Sequence, residues 1–404
     1  MTAARANSNK SSLRIQSAWE KLGEFLITGG ATLVLIPLAY SLRFPLEDNG
    51  APNDYHEYVV SMVAFYAAYV INDPHFGVSY LLFYKNTRQR CDGTEFQGAQ
   101  RIRYIVAGYL VPLLLVAWIT WALLLQDAEL LGQMVQAMFF LVGWHYVKQG
   151  FGVLMVLSAR RDIRFDTKER WVLLSHCFCA WAYAWSTPRE MGGTYQENGL
   201  IYTAFKQPPH LALVSGSLLI ASCFGVAYIS LRRWRARQPF PPWAATCGYF
   251  VSLWLWTIYS TFDPLLSYVV PGLHSLQYWY FVYLMKKNES LHDQKESKVP
   301  TNFLGRAAFS FGPLYGRLSL FFLTAVAISW LGFNGLPGFL DETTAATVAM
   351  LGPNPELSII GLGATPYVAA FAVFINIHHY FMDHVLWRRE NSDTKYLRNS
   401  ESVN

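Results

Sequence analysis

The chain has 404 residues, of which 53% are hydrophobic and 15% are charged, and its mean hydropathy is +0.19. An average soluble domain carries about 25% charged residues, so this composition excludes an ordinary water-soluble fold and is typical of an integral membrane protein. The formal net charge of +5 is modest. In a membrane protein such an excess reflects basic loops, and we expect no nucleic-acid partner.

Ten apolar segments approach the length of about 20 residues that a helix needs to cross a bilayer. In chain order they are predicted at 24–43, 57–84, 104–125, 130–157, 171–186, 210–231, 244–262, 266–285, 313–334 and 366–387. The sequence therefore predicts an all-α fold, a polytopic membrane bundle of about ten transmembrane helices. It divides into a cytoplasmic tail at 1–23, one transmembrane domain at 24–387 with a linker or surface helix at 287–312, and a cytoplasmic tail at 388–404.

Loops rich in basic residues alternate along the chain with loops that have few of them. The tail before the first span, the second, fourth, sixth and eighth loops, and the tail after the last span are rich in Lys and Arg. The first, third, seventh and ninth loops carry acidic residues and few or no bases. Since basic loops remain on the cytoplasmic side, both termini are predicted to be cytoplasmic. We expect a multi-pass protein of a bacterial inner membrane.

Histidines stand inside four of the even-numbered spans: His75 in the second, His145 in the fourth, His274 in the eighth, and His378 and His379 in the tenth. Each lies about 9–15 residues before the first basic residue after its span, which at about 1.5 Å per residue places all five at a similar depth. Ionisable side chains are costly within a bilayer, so they persist where they pair or bind something. The shared depth predicts one common site between helices.

Most of these histidines have a polar neighbour three or four residues away on the same helical face. The pairs are Asn72 with His75, Gln149 with His145, Gln277 with His274, and Asp383 with His379. Metal-bound imidazoles commonly hydrogen-bond through their second nitrogen to such partners. We therefore assign metal binding to His75, His145, His274, His378 and His379, and cofactor binding to Asn72, Gln149, Gln277 and Asn376.

The remaining histidines are predicted to lie outside this site. His56, His210 and His292 fall at span ends or in loops. His176 stands near the cytoplasmic end of the fifth span and is a weaker candidate, and His384 is expected near the interface. The histidines of the even-numbered spans thus remain the main candidates.

Neutral imidazoles beside carboxylates and amides suit iron, zinc or copper. A histidine-rich site with open positions in a lipid-accessible cavity favours non-haem Fe(II) that activates O2. Zinc is less favoured because no HExxH motif is present to supply a helix-borne base, and a haem held by two histidines would leave the others unexplained. The candidate catalytic residues are Asp73 or Asp383, which would offset the metal charge, and Tyr146, Tyr278 or Tyr380 as hydrogen-bond donors.

Two segments resemble the Brp/Blh family of membrane carotenoid dioxygenases. Pro74-His75-Phe76-Gly77 is similar to the HFG motif of that family, and His378-His379-Tyr380-Phe381-Met382-Asp383 is similar to its late histidine-rich helix. The resemblance covers about ten residues. It implies one iron held by four histidines inside a helical bundle, with His75 and one or both of His378 and His379 as ligands, and oxidative cleavage of a carotenoid.

Three functions remain open from the sequence. The first is an iron-dependent oxygenase or desaturase that acts on a lipophilic substrate such as a lipid, an isoprenoid or a carotenoid, with O2 and an electron donor as further partners. The second is a transporter that uses His and Asp as a relay. The third is an electron-transfer protein with a bis-histidine haem.

Overall fold

The computed structural model describes residues 17–43, 54–187, 192–295, 306, 312, 314–351 and 362–398. This part of the chain is mostly helical. Its helices are α1 Ala18–Phe25, α2 Thr32–Arg43, α3 Asp54–Ile71, α4 Asp73–Phe83, α5 Thr87–Asp92, α6 Gly98–Ile105, α7 Val111–Leu125, α8 Ala128–Ala159, α9 Thr167–Ser186, α10 Pro209–Arg235, α11 Trp243–Phe250, α12 Pro264–Lys295, α13 Tyr315–Trp330, α14 Leu336–Leu351, α15 Pro366–Leu386 and α16 Lys395–Arg398. Short π-helical segments extend α1 to Gly30 and α11 to Ile258. Similar segments connect α6 to α7 and α13 to α14.

Among the described residues, four helical stretches are long and apolar enough to cross a membrane. They are Gly98–Leu125, Ala128–Ala159, Pro209–Arg235 and Tyr315–Ala346, and the bent pair Ala18–Gly30 with Thr32–Ser41 makes a fifth if it is one span. Half of the apolar window of Ala128–Ala159 is buried, against 11–22% in the other three stretches. The helix α8 therefore lies inside the bundle, whereas the other three present apolar surface outward.

The described parts of all ten predicted spans are helical apart from isolated turn residues. The predicted number of crossings exceeds the four or five that length and hydropathy support. Two of the remaining helices, α12 and α15, carry the histidines and amides of the candidate site, which lower their mean hydropathy. The span predicted at 57–84 is divided into α3 and α4.

The division between α3 and α4 occurs at Asn72. Pro74 has no backbone N–H and stands in the first turn of α4, where a helix start tolerates proline. The carbonyl of Ile71, freed at the break, accepts the indole N–H of Trp279 at 3.0 Å. The carbonyl of Asn72 accepts the backbone N–H of His75 at 3.1 Å. The break thus turns backbone carbonyls toward neighbouring side chains.

A second bend separates α1 from α2 by 61°. Gly29 lies at this bend with φ 149°, a conformation that residues with a Cβ rarely adopt. The carbonyl of the preceding Thr28 accepts a hydrogen bond from Nε2 of Gln277 at 2.6 Å. The bend therefore connects the first helices to α12.

One β-hairpin departs from the predicted all-α fold. Thr194–Glu197 pairs antiparallel with Leu200–Thr203 between α9 and α10. Thr203 donates through its backbone and hydroxyl to Glu129, and its carbonyl accepts from Gln136 at 3.2 Å. These contacts join the hairpin to the first half of α8. The hairpin lies in a loop between two predicted spans. The apolar pattern that predicted the spans carries no information about the structure of the loops.

The end of the bundle opposite the hairpin carries loops rich in Lys and Arg and is named the basic end. The buried side chain of Arg90 holds its elements together. Nη1 of Arg90 donates to the carbonyls of Leu82 and Phe83 at 2.8 and 2.9 Å, which cover the end of α4. The same guanidinium forms ion pairs with Glu95 at 3.1 Å and Asp393 at 3.3 Å. The described part of the predicted C-terminal tail is thus packed against the helices, and α12 continues to residue 295 through the first part of the predicted linker.

Candidate metal centre

Four histidines on four different helices meet in the interior of the bundle. His75 comes from α4, His145 from α8, His274 from α12 and His379 from α15, and each is at most 5% exposed. Potential ligand atoms of His75, His274 and His379 lie within 4.8 Å of one another, as do those of His145, His379 and Asp383. His379 belongs to both groups and joins them into one cluster.

The imidazole rings are in direct contact. Ring centroids are 4.7 Å apart for His75 and His379, 5.4 Å for His75 and His274, 4.9 Å for His145 and His274, and 5.0 Å for His145 and His379. Nε2 of His145 lies 3.2 Å from Nε2 of His274. Two facing imidazole nitrogens can share one proton, with one ring as donor and the other as acceptor.

Several polar atoms of the cluster have no hydrogen-bond partner in the described structure. They are Nε2 of His75, Nδ1 of His274, both ring nitrogens of His379 and Oδ2 of Asp383. A buried polar atom without a partner costs about 1–3 kcal/mol, so such atoms rarely collect in one place. A cation could take one lone pair from each of these four side chains, and the second nitrogen of His379 would then carry the ring proton. The residues present therefore fit a bound metal ion.

The break before α4 selects the ring nitrogen that His75 turns toward the cluster. Nδ1 of His75 lies against the backbone carbonyl of Asn72, which can only accept a hydrogen bond. The hydroxyl of Ser275 is 3.0 Å from the same nitrogen and donates to Oδ1 of Asn72 at 2.9 Å. Nδ1 therefore carries the proton, and the lone pair of Nε2 remains for a metal.

Asp383 places a carboxylate beside the histidines. Its Oδ1 accepts from the hydroxyl of Ser79 at 3.0 Å and lies 3.4 Å from the hydroxyl of Tyr278. Its Oδ2 is 3.5 Å from Nε2 of His379 and 3.9 Å from Nε2 of His145. One oxygen is thus held by neighbouring hydroxyls, while the other faces the imidazoles.

His378 lies outside the cluster although it is adjacent to His379 in sequence. Its Nδ1 is 2.9 Å from the hydroxyl of Tyr80, and its Nε2 is 3.1 Å from the carbonyl of Ala107. Successive residues of an α-helix point about 100° apart, so the two rings cannot face one site. Both ring nitrogens of His378 have partners, and only His379 is available to a metal.

The two glutamines predicted to orient imidazoles connect helices instead. Nε2 of Gln149 donates to the backbone carbonyl of His274 at 3.1 Å and to Oε1 of Gln277 at 2.8 Å. Gln277 in turn donates to Thr28. Neither amide reaches a ring nitrogen of the cluster among the hydrogen bonds described. Side chains this long bridge to the next helix more readily than they bend back along their own.

The remaining predicted residues occupy separate positions. The hydroxyl of Tyr380 donates to Oδ1 of Asn376 at 3.0 Å, and its ring lies 4.8 Å from that of His145. Tyr146 packs against His274 with ring centroids 4.7 Å apart. Asp73, the other predicted counter-charge, lies near Nδ2 of Asn72 at 3.4 Å and belongs to neither ligand group. Asp383 is therefore the carboxylate that accompanies the histidines.

The other histidines that the structure describes also lie apart from this cluster. Nδ1 of His176 is 2.8 Å from the hydroxyl of Ser222, between α9 and α10. Nε2 of His384 is 3.4 Å from Arg388 at the basic end. His210 is exposed and His292 is partly buried, whereas the side chain of His56 lies outside the described residues.

Two residues that contact the site, and a glycine that packs beside it, were assigned no role from the sequence. Ser79 stands one turn after His75 on the same face, so the spacing of four residues was an available signal. Ser275 follows His274 directly, and no periodic pattern connects it with α4. Gly77 packs so closely against α13 that its backbone N–H donates to the hydroxyl of Ser329 at 2.9 Å.

Comparison with known proteins yields no match for this chain among family models, curated proteins or solved structures.

Proposed function

We propose that this chain is a membrane-embedded metalloenzyme in which His75, His145, His274, His379 and Asp383 hold non-haem iron. The observation that supports the proposal is the cluster of four buried imidazoles from four helices. Ligand atoms of His75, His274 and His379 lie within 4.8 Å of one another, as do those of His145, His379 and Asp383. Nitrogens of three of the four rings have no hydrogen-bond partner among the described residues. The reaction proposed is the oxidation of a lipophilic substrate by O2.

The donor set supports iron over the other cofactors. Imidazoles with one carboxylate and no thiolate are typical of non-haem Fe(II) sites that activate oxygen, although zinc accepts the same ligands. The carboxylate of Asp383 would offset one of the two charges of the cation. A haem is disfavoured because the rings of His75 and His379 contact each other directly, which leaves no gap for a porphyrin between them.

Bound iron would supply one-electron and oxygen chemistry, while the protein residues supply position and protons. Asn72 and Ser275 hold the ring of His75 in one tautomer. Ser79 and Tyr278 share a hydrogen bond of 2.6 Å next to Asp383, so they can exchange a proton with its carboxylate. Electrons for a monooxygenase or desaturase would come from a separate donor, whereas a dioxygenase would need none.

The location supports a lipophilic substrate. The cluster lies within predicted spans, where lipids, isoprenoids and carotenoids reach it more easily than polar metabolites do. We propose the ten-span topology with both termini cytoplasmic, in a bacterial inner membrane, on the alternation of basic loops. Reporter fusions after Arg237 and after Leu351 should report opposite sides of the membrane, and the same side for both would reject this topology.

Metal analysis combined with an absorption spectrum tests the proposal. Purified wild-type protein should contain about one iron per chain without the intense Soret band of a haem, and a variant carrying His145→Ala and His274→Ala should lose it. Membranes supplied with iron and native lipid extract should consume O2 and form an oxygenated or desaturated product. Full metal occupancy in the double variant would refute the site, and zinc in place of iron would refute the oxygenase.

A proton relay is the second candidate function, because Asp383, Ser79 and Tyr278 form a hydrogen-bonded chain beside the imidazoles. In a transporter these residues would titrate instead of binding metal. A pH-dependent flux into vesicles that is abolished by Asp383→Asn, in protein free of metal, would favour the relay. Oxygen-dependent product formation would favour the enzyme.

A further inference from the structure

A cavity of about 380 Å³ lies at the basic end of the bundle, between α4, α12 and α13. Three bases line it: Lys85 in the turn just after α4, Lys286 on α12 and Arg317 on α13. Glu289 is the one acidic residue in the described lining, and Ser290 adds a hydroxyl. The cavity is far from the imidazole cluster along the helices, since Lys85 follows His75 by ten residues, or about 15 Å.

Acidic side chains hold the bases in place without using all their donors. Glu289 accepts from Lys85 and from Lys286 at 2.8 Å each. Asp293 accepts from Nη2 of Arg317 at 2.8 Å, and Asp393 is 3.5 Å from Lys85. The three carboxylates therefore balance the three bases in number while leaving most of the N–H groups uncommitted.

One of these donors is both buried and unpaired. Nη1 of Arg317 has no hydrogen-bond partner in the described structure, although Nη2 of the same guanidinium is held by Asp293. A guanidinium presents its donors in a planar fork that matches the oxygens of a phosphate. With the ammonium groups of Lys85 and Lys286 lining the same cavity, the missing acceptor is best supplied by an anion.

An apolar groove of about 180 Å³ continues from this cavity and shares Lys286, Leu318 and Phe321 with it. Its further lining includes Trp279 and Phe322, whose rings are 5.3 Å apart. The α12 residues of the groove recur every three or four positions and so form one helical face. The groove follows this face away from the basic end, in the direction of the predicted membrane interior.

We propose that the cavity and groove together bind an anionic phospholipid. Its phosphate would accept from Arg317 and Lys286, and an acyl chain would lie in the groove along Leu318 and Phe321. Basic pockets between helices on the cytoplasmic side of membrane proteins are suited to such head groups. A free phosphate would leave the apolar groove unused, which is why we assign a lipid. This inference does not depend on the proposed metal chemistry.

Native mass spectrometry of the full-length protein in neutral detergent would test the assignment, with phosphatidylglycerol, phosphatidylcholine and inorganic phosphate as probes. One phosphatidylglycerol should bind per chain about tenfold more tightly than phosphatidylcholine. Lys286→Gln combined with Arg317→Gln should abolish this preference. Lys287→Gln is the matched control, because Lys287 is the neighbouring base and is absent from the described lining.

A second variant tests the groove without changing charge. Leu318→Trp should fill the groove and weaken phosphatidylglycerol binding by about tenfold, with an unchanged circular dichroism spectrum as the measure of an intact fold. Equal binding of the two lipids, an unchanged preference in the charge variant, or full displacement of the lipid by inorganic phosphate at equal concentration would each overturn the proposal. Loss of the preference in Lys287→Gln would also overturn it, since the charge effect would then be unspecific.

Discussion

Replacing Gly77 by alanine should push α13 away from α4, the helix that carries His75. A Cβ added at Gly77 would lie 2.2 Å from the carbonyl oxygen of Ala325 and 2.8 Å from the hydroxyl of Ser329. The nearer contact is to backbone, so rotation of a side chain cannot relieve it. Since ordinary contact begins at 3.4 Å, α4 and α13 must move apart by about 1.2 Å.

The expected energetic effect is overpacking, which costs about 1–3 kcal/mol in a packed interior. Alanine also stabilises a helix by about 1 kcal/mol relative to glycine, and this gain partly offsets the steric cost. Gly272→Ala is a matched control, since Gly272 lies two residues before His274 just as Gly77 lies two after His75. A Cβ at Gly272 meets nothing within 4 Å. The difference between the two variants therefore isolates the steric cost.

Unfolding of both variants in mixed detergent, followed by circular dichroism, measures this difference, and metal content reports on the site. Gly77→Ala should be less stable than Gly272→Ala by about 1–3 kcal/mol. It should also retain less metal, because His75 moves with α4. Equal stability of the two variants would refute the close approach of α4 and α13.

Three further predictions concern single side chains. His379→Gln should reduce bound metal about tenfold or more, whereas His378→Gln should leave it unchanged, and equal metal content in the two would contradict the assignment of the ligand. Ser275→Ala removes a contact to Nδ1 of His75, so metal affinity measured against a competing chelator should fall about 10–100-fold; an unchanged affinity would mean that this hydroxyl does not orient the ring. Burial raises the pKa of Glu289, but two neighbouring ammonium groups outweigh it and lower the pKa from 4.5 to about 2. The ionised carboxylate therefore stabilises the fold above pH 4.5 and loses this effect as pH falls toward 2. Glu289→Gln should flatten the dependence of the free energy of unfolding on pH over that window. An unchanged slope would show that the ion pair does not contribute.

The common depth of the histidines was available from the sequence, because each span ends at a basic residue and the helical rise converts residue number into distance. Which histidine of the pair 378–379 faces the others was not available. Adjacent residues on a helix point in different directions, and the rotation of α15 depends on its packing against α4 and α8. The contacts of His378 to Tyr80 and Ala107 are made with residues 298 and 271 positions away.

The roles of the polar neighbours divide in the same way. A spacing of three or four residues placed Gln149 on the face of His145, yet its amide bonds to His274 and Gln277 on another helix. Asp383 has the same kind of spacing from His379 and does lie beside the imidazoles. The spacing alone does not distinguish these outcomes, because a long polar side chain bonds to whichever neighbouring helix offers a partner.

The sequence by itself determined the helical segments and their apolar character, and it predicted a common depth for the buried histidines. These properties are local, since span length, side-chain polarity and helical rise are all read along one segment. Only the tertiary structure decided which helix faces meet, and so separated His379 from His378, brought Ser275 to His75 and required a glycine at position 77. These contacts depend on the rotation and close approach of helices that are distant in sequence. A residue pattern within a single helix carries no information about either.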